Sequence, residues 1–398
     1  MEKYRLASSA WDQSELDAIQ SVISSGIYTM GENVFRFEKA FAKYTGSAYC
    51  VMVNSGSSAN LLAVAALMFR SKDRLNRGDE VIVPAVSWST TYYPCSQYGL
   101  KLKFVDIDPE TLNYDLVALE SAITDKTRMI MAVNLLGNSN DFQAIKQLIG
   151  TRPITLIEDN CESMGATYEG KQTGTFGIMG TFSCFFSHHI STMEGGMIVT
   201  DDEELAQILV SLRAHGWTRS LPKSNHICGT LSDDSFFESF RFVLPGYNLR
   251  PLEMSGAIGI KQLEKLPNFV EERRKNAVFF QELFGNDRRF KIQKEIGNSS
   301  WFGFALTLTD EANFTRKELT DILMKNNIEC RPVVAGNFTR NPVIKWIDHE
   351  IHGTLKNADR IHDKAFFVGN HQFNIREELA YFKKTVDSIK MAHEMDLF

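Results

Sequence analysis

The chain has 398 residues, 43% of them hydrophobic and 23% charged, with a formal net charge of −6. That composition excludes a disordered chain, and the lack of any long basic run argues against nucleic acid as a partner. The length is too great for one simple core and fits a large domain plus a smaller one.

The opening stretch MEKYRLASSAWDQSELDAIQ is polar and lacks the apolar core of a secretory signal. From 45 to 200, short apolar runs alternate with helix-like stretches. YCVMVN (49–54) reads as a strand and SSANLLAVAALMF (57–69) as a helix. Its run LLAVAALMF (61–69) is the longest apolar stretch and is far too short to span a membrane. EVIVPA (80–85), KLKFVDI (101–107), RMIMAVN (128–134), ITLIED (154–159), TFSCFF (181–186) and GMIVT (196–200) are further strands. Helices are expected at 115–123 and 141–149. Near-continuous apolar strands separated by helices predict a mostly parallel sheet covered on both faces, an α/β fold.

The pattern changes after about residue 250. A long helix is expected from Pro251 through about Phe284, bent at Pro267, then a strand at 301–308, an amphipathic helix at 316–327 and a last helix from Arg376. This predicts a large domain over 1–250 and a smaller α+β domain over 251–398. The six cysteines, at 50, 95, 161, 184, 228 and 330, form no CxxC pair. They read as buried free thiols in a reducing compartment, which predicts a cytoplasmic protein with no disulfide framework and no metal site.

In open α/β sheets, ligands bind beyond the carboxyl ends of the strands. Four segments follow those ends: Asn54 to Ser58, Ala85 to Thr90, Asp159 to Gly165, and Ser183 to Gly196. NSGSSAN (54–60) turns a strand into a helix start, where free N–H groups and hydroxyls can cradle a phosphate; most such sequences are plain helix caps. Asp159 ends a buried strand and suits a cofactor, a metal or a cap. Trp88 suits stacking on a planar ligand or core packing, about equally. TFSCFFSHHISTMEGGMIVT (181–200) delivers Ser183 and two adjacent histidines to the same edge. Adjacent side chains diverge, so at most one histidine faces the site.

Six blocks resemble, in order, the sugar aminotransferase and dehydratase family of fold-type I pyridoxal-phosphate enzymes, the DegT/DnrJ/EryC1/StrS family. They are SSGIYTMGENVFRFEKAFAKYTG (24–46), VNSGSSANLLA, VIVPAVSWSTT, IEDNCESMGA (157–166), LRAHGW (212–217) and PGYNLRPLEMSGAIGIKQL (245–263). The resemblance implies the aspartate-aminotransferase fold. It also implies roles for particular residues. Gly56 and Ser57 hold the cofactor phosphate through backbone N–H groups, and Ser183 adds a hydroxyl. Trp88 stacks on the pyridine ring. Asp159 bonds the pyridine nitrogen and keeps it protonated. Glu162 lies near the phenolic oxygen, where many relatives carry glutamine, so one of the two must hold a proton. Asn248 reaches the phosphate from the second subunit of a homodimer, which makes the active sites shared.

One departure decides the expected reaction. Relatives place a lysine eight residues before the second glycine of EGG; here that residue is His188, and no lysine occurs between Phe176 and Thr200. Lysine holds the cofactor covalently and shuttles protons. Imidazole cannot form that bond, yet it remains an acid and base near neutral pH. The resemblance therefore implies pyridoxal 5′-phosphate and pyridoxamine 5′-phosphate bound without a covalent link, with His188 as the sole acid/base. The implied reaction removes the C3 hydroxyl from a GDP-4-keto-6-deoxy sugar, GDP-4-keto-6-deoxy-D-mannose, in the colitose branch of lipopolysaccharide O-antigen synthesis. L-Glutamate restores the amine form. A related dehydratase type carries an iron–sulfur cluster on clustered cysteines, which are missing here.

For the substrate, the resemblance points to Gly26, Ile27, Tyr28 and Thr29 in the opening segment. Arg219 and Arg250 suit a diphosphate. His215 is expected close to cofactor or sugar, and Glu329 at a base or ribose hydroxyl. Segment 221–241 reads as a loop near the substrate. The competing readings are a nucleotide-sugar aminotransferase using another lysine and a non-catalytic nucleotide-sugar-binding relative.

Overall fold

The alternating strands and helices build one large sheet in a computed structural model that describes residues 3–395. In chain order the strands of the two main sheets are β1 (Tyr49–Val53), β2 (Glu80–Pro84), β3 (Lys101–Val105), β4 (Thr127–Val133), β5 (Thr155–Asp159), β6 (Met179–Ser183), β7 (Gly196–Thr200), β8 (Phe290–Ile292), β9 (Gly303–Leu308), β10 (Cys330–Arg331), β11 (His349–Ile351) and β12 (Ala365–Gly369). The large sheet runs β1-β7-β6-β5-β4-β2-β3-β11. Its strands from β6 through β11 are parallel, and β7 pairs antiparallel with both β1 and β6. The expected mostly parallel sheet is therefore present.

Side-chain alternation explains why these strands read as unbroken apolar runs. Val51, Val53, Val81, Val83, Met129 and Met131 face one core, which includes the apolar helix Gly56–Phe69. Met52 and Met197 face the opposite layer with Phe37, Phe41 and Leu266. Ile82, Ile130 and Ala132 face that same side against Leu119, Phe142 and Ile145. Each such fully buried aliphatic side chain stabilises the fold by roughly 1.5–3 kcal/mol.

The helix Glu253–Phe284 links the two parts of the molecule and contains Pro267. Its carboxyl-terminal half packs Ala277, Phe280 and Phe284 into a second core with Phe304, Leu306, Phe366, Leu379 and Phe382. There β8-β9-β12-β10 form an antiparallel sheet. Two crossings tie the parts together. β11, late in the chain, adds the eighth strand to the large sheet beside β3, and Tyr4 enters the second core and donates from its hydroxyl to Gly369 O at 2.6 Å.

Two departures from the sequence reading lie close to the candidate site segments. The strand expected at 181–186 ends at Ser183. Segment 221–241 is not a plain loop: it forms a hairpin, Ser224–Asn225 with Gly229–Thr230, and the single-turn helix Ser235–Glu238 capped by Asp234. Such short pieces have no apolar periodicity to betray them.

One buried carboxylate sets the opening segment. Glu253, at the first position of its helix, accepts from Gly31 N at 2.7 Å and Asn33 N at 2.6 Å, the amino-terminal turn of helix Glu32–Thr45. Negative charge is favoured there by free N–H groups and the helix dipole. Glu253 N in turn donates to Tyr28 O, and Thr29 bridges Leu252, so residues 26–29 are fixed in place at the surface.

Candidate active site at the strand ends

The register brings several strand ends into one row. Val53 pairs with Gly196, Gly196 with Ser183, Thr181 with Asp159, and Asp159 with Val133. The Ser55–Gly56 turn sits directly on this row. A Cβ on Gly196 would lie 2.2 Å from Ser55 O, and one on Gly56 would lie 2.6 Å from Ser183 Cβ. Glycine is therefore required at both positions.

Gly56 opens the helix that Ser55 caps by accepting from Ser58 N at 3.1 Å. The N–H groups of Gly56 and Ser57 take no partner among the described residues. Ser57 Oγ donates to Thr90 Oγ1 at 3.0 Å, and the Ser183 hydroxyl lies against Gly56. Free N–H groups, a helix amino terminus and hydroxyls together form a phosphate cradle.

Asp159 is buried at the end of β5. Its Oδ2 accepts from Asn60 Nδ2 at 2.8 Å and Thr91 Oγ1 at 2.7 Å, while Oδ1 accepts a longer bond from Cys161 N at 3.2 Å. Oδ1 thus keeps accepting capacity. Beneath it, Glu158 is fully enclosed and accepts from the N–H groups of Gly174, Phe176 and Gly177 at 2.5–2.8 Å. Trp88 is 57% exposed at the start of helix Ser89–Gln97, so it is not a core residue.

Glu162 accepts from Leu136 N at 3.1 Å. Burial, opposed by that hydrogen bond and reinforced by the Asp159 charge, pushes its carboxyl up to about 7. It is poised to hold a proton near neutrality.

After β6 the chain makes a loop closed by Cys184 N donating to Gly195 O and Thr192 N donating to Cys184 O, each at 2.9 Å. The two histidines in it both meet the Phe302 ring, at 5.2 Å for His188 and 5.8 Å for His189, but differ in burial. His189 is buried with Nε2 at 3.1 Å from Ser300 O. His188 is half-buried, with Nδ1 sealed and lacking a hydrogen-bond partner among the described residues, and its ring lies between Phe185 at 5.9 Å and Phe302 at 5.2 Å. Burial first, and the Arg273 cation second, push His188 down to about 4. The ring is neutral at pH 7 and able to accept a proton.

A second group lies along the neighbouring chain. Asn248 bridges Ala214, and Leu249 O accepts from Asn54 N at 3.1 Å, next to the phosphate turn. Arg250 Nε donates to Asn248 Oδ1 at 3.0 Å. Arg219 and Arg250 stand 5.8 and 5.9 Å from the Trp217 ring, which also meets the His215 ring at 4.8 Å. Ile27 and Tyr28 are exposed beside Leu252. Glu329 accepts from Lys3 Nζ at 2.5 Å and Leu6 N at 2.9 Å. The Lys3 pairing first holds its carboxyl below the usual range.

The sequence reading missed Asn60, Thr91, Leu136, Phe302 and Arg273. Asn60 and Thr91 stand within recognised blocks, but only the fold aims them at Asp159. Among the described residues, no group of three or more His, Cys, Asp or Glu side chains could hold a metal ion, and no helix is long and apolar enough to cross a membrane. All six cysteines are free.

The DegT/DnrJ/EryC1/StrS aminotransferase family profile matches residues 10–382. A GDP-4-keto-6-deoxy-D-mannose 3-dehydratase of Yersinia pseudotuberculosis is 60% identical over 380 residues, 95% of this chain and 97% of that protein. The solved E. coli GDP-4-keto-6-deoxy-D-mannose-3-dehydratase with bound hydrated PLP superposes with a TM-score of 0.96 at 57% identity, over 97% of this chain and 100% of that one. A GDP-4-keto-6-deoxymannose-3-dehydratase with a trapped PLP–glutamate geminal diamine gives 0.95 at 57% identity, over 96% and 100%.

Proposed function

The chain belongs to the DegT/DnrJ/EryC1/StrS aminotransferase family, and we propose that within it the protein is a nucleotide-sugar 3-dehydratase. It removes the C3 hydroxyl of GDP-4-keto-6-deoxy-D-mannose to give GDP-4-keto-3,6-dideoxy-D-mannose, using pyridoxal/pyridoxamine 5′-phosphate and L-glutamate. The observation that carries this reading is the neutral, half-buried His188 standing where lysine is expected, at the strand-end edge with Asp159, Trp88 and Ser183. The relatives named above support the substrate, the cofactor and glutamate.

The residues present fit the cofactor. Gly56, Ser57 and Ser183 form the anion cradle, Oδ1 of Asp159 has room for a pyridinium N–H, and exposed Trp88 offers a ring face. When bound, the pyridinium ring supplies an electron sink that lets a C–O bond next to the former ketone break. Everything else falls to side chains. Asp159, steadied by Asn60 and Thr91, holds the ring nitrogen in its protonated form. Glu162 shares a proton with the phenolic oxygen, as its raised titration allows. His188 takes a proton from carbon and delivers one to the departing hydroxyl oxygen. Lacking an amine, His188 would not bond the aldehyde form of the cofactor, so the nitrogen passed to the sugar would be displaced by water as ammonia, leaving the carbonyl product.

We further assign Arg219, Arg250 and His215 to the nucleotide sugar, together with Gly26, Ile27, Tyr28 and Thr29, and Glu329 to a base or ribose hydroxyl. Asn248 would act across a homodimer. The exposed Phe236, Phe237, Phe240, Phe242 and Leu252 are the kind of surface a second copy covers. The large and small domains are taken as 1–250 and 251–398, and the free thiols fit a cytoplasmic setting.

The test is stoichiometric. Incubated with pyridoxamine phosphate, glutamate and GDP-4-keto-6-deoxy-D-mannose, the protein should form one ammonia and one 2-oxoglutarate per deoxy sugar. An amino sugar without ammonia would make it an aminotransferase, and no turnover would leave a binding protein.

A further inference from the structure

A catalytic histidine is ordinarily oriented by a hydrogen bond on the ring nitrogen away from the chemistry. Among the described residues His188 has none: its Nδ1 is sealed without a hydrogen-bond partner. What touches the ring is aromatic. Phe302 meets it at 5.2 Å and 63°, and Phe185 at 5.9 Å and 79°.

Phe302 lies 114 positions further along the chain and is itself firmly anchored. Its N–H donates to Leu136 O at 3.0 Å. Its carbonyl accepts from Arg273 Nη1 at 3.1 Å, and the same nitrogen reaches Asn370 O at 2.9 Å. Asn370 Nδ2 donates to the preceding carbonyl, Trp301 O, at 2.9 Å. Trp301 holds a left-handed backbone, φ +47°, that a tryptophan adopts only under constraint. The segment lies directly on Gly137, where a Cβ would fall 2.4 Å from Trp301 N. Arg273 is buried and has no carboxylate partner among the described residues. The arrangement also joins the two proton-handling groups: Leu136 N serves Glu162, and Leu136 O holds Phe302.

We infer that Phe302 is a positioning residue of the dehydration. Fastened by Leu136 and Arg273, its ring sets the angle of the His188 imidazole and, with Phe185, keeps water from Nδ1. This rests on His188 being the acid/base proposed above. Packing replaces the missing hydrogen bond, and edge-to-face ring contacts carry the directionality it needs. The same enclosure keeps the imidazole neutral, with Arg273 on the linking helix adding to the effect. The titratable neighbours are His189, pushed far down by burial, and Glu162 beyond Leu136.

The experiment compares Phe302→Leu and Phe302→Tyr with the parent protein. Leucine keeps bulk but removes the ring. The expected result is a kcat lowered about tenfold or more, while cofactor affinity and sugar KM stay within about threefold. Water reaching the imidazole raises its proton affinity, so the acid limb of the rate profile moves to higher pH. Tyrosine, which restores a ring, recovers most of the rate. An unchanged kcat and acid limb in Phe302→Leu would overturn the inference, as would equal losses in cofactor affinity and rate with no shift of the limb. His188→Asn, run in parallel, separates the levels. If it is inactive while Phe302→Leu behaves as the parent, only the inference fails; if it turns over normally, both fail.

Discussion

Replacing His188 with asparagine is expected to abolish dehydration while leaving the cofactor bound. The amide is close to imidazole in size, so the loop closed between Cys184 and Gly195 is preserved. It has, however, no basic ring nitrogen to accept and return a proton. Losing one general acid–base group typically costs about 10²–10⁴-fold. His188 is proposed to act both on carbon and on the leaving oxygen, so the upper end of that range, about 10⁴-fold, is expected. Cofactor affinity should move little. The cradle at Gly56 and Ser57, the Asp159 carboxylate and the Trp88 ring make no contact that depends on the imidazole. Product formation by mass and cofactor uptake by absorbance check the two halves separately. Turnover within tenfold of the parent would contradict the role.

Asp159→Asn is the second large effect, and the network fixes its direction. Asn60 and Thr91 both donate to Oδ2. An asparagine at 159 must keep its oxygen there to satisfy them, which leaves its NH₂ where Oδ1 stood. That amide donates where an acceptor is needed, so the pyridine nitrogen cannot keep its proton. Removing one such stabilising interaction costs on the order of 10²–10³-fold in rate. The same loss should appear in the glutamate half-reaction, because both directions draw on the electron sink. Rapid-mixing absorbance with glutamate alone provides the measurement. A variant that loses sugar turnover but converts glutamate normally would show that Asp159 serves the sugar instead.

Most of the fold was legible because its strands are buried on both faces, which writes long apolar runs into the sequence. Val51 and Met52 face different cores, yet both are apolar. β11 escaped notice for the opposite reason. At the sheet edge, HEI carries two polar residues in three and pairs with β3 from far along the chain. Hairpin 224–230 was equally silent, since its strands are two residues each.

The site was legible where chemistry and local order coincide. Gly56, Asp159, Ser183 and His188 follow strands within a few residues, and a glycine turn or a lysine's absence is visible in one dimension. The supports were not. Asn60 and Thr91 reach Asp159 across 99 and 68 positions, and Arg273 holds the Phe302 carbonyl across 29. Such partners are chosen by three-dimensional packing, and nothing in their own neighbourhoods announces them. For Trp88, exposure excludes core packing.

In the proposed reaction an imidazole does the proton work beside a cofactor that nothing tethers. Loading the protein with pyridoxal phosphate, reducing it with borohydride and weighing the denatured chain tests this directly. The expected mass is that of the unmodified chain, with the reduced cofactor released. A chain heavier by one pyridoxyl phosphate group would place the cofactor on a lysine and contradict it.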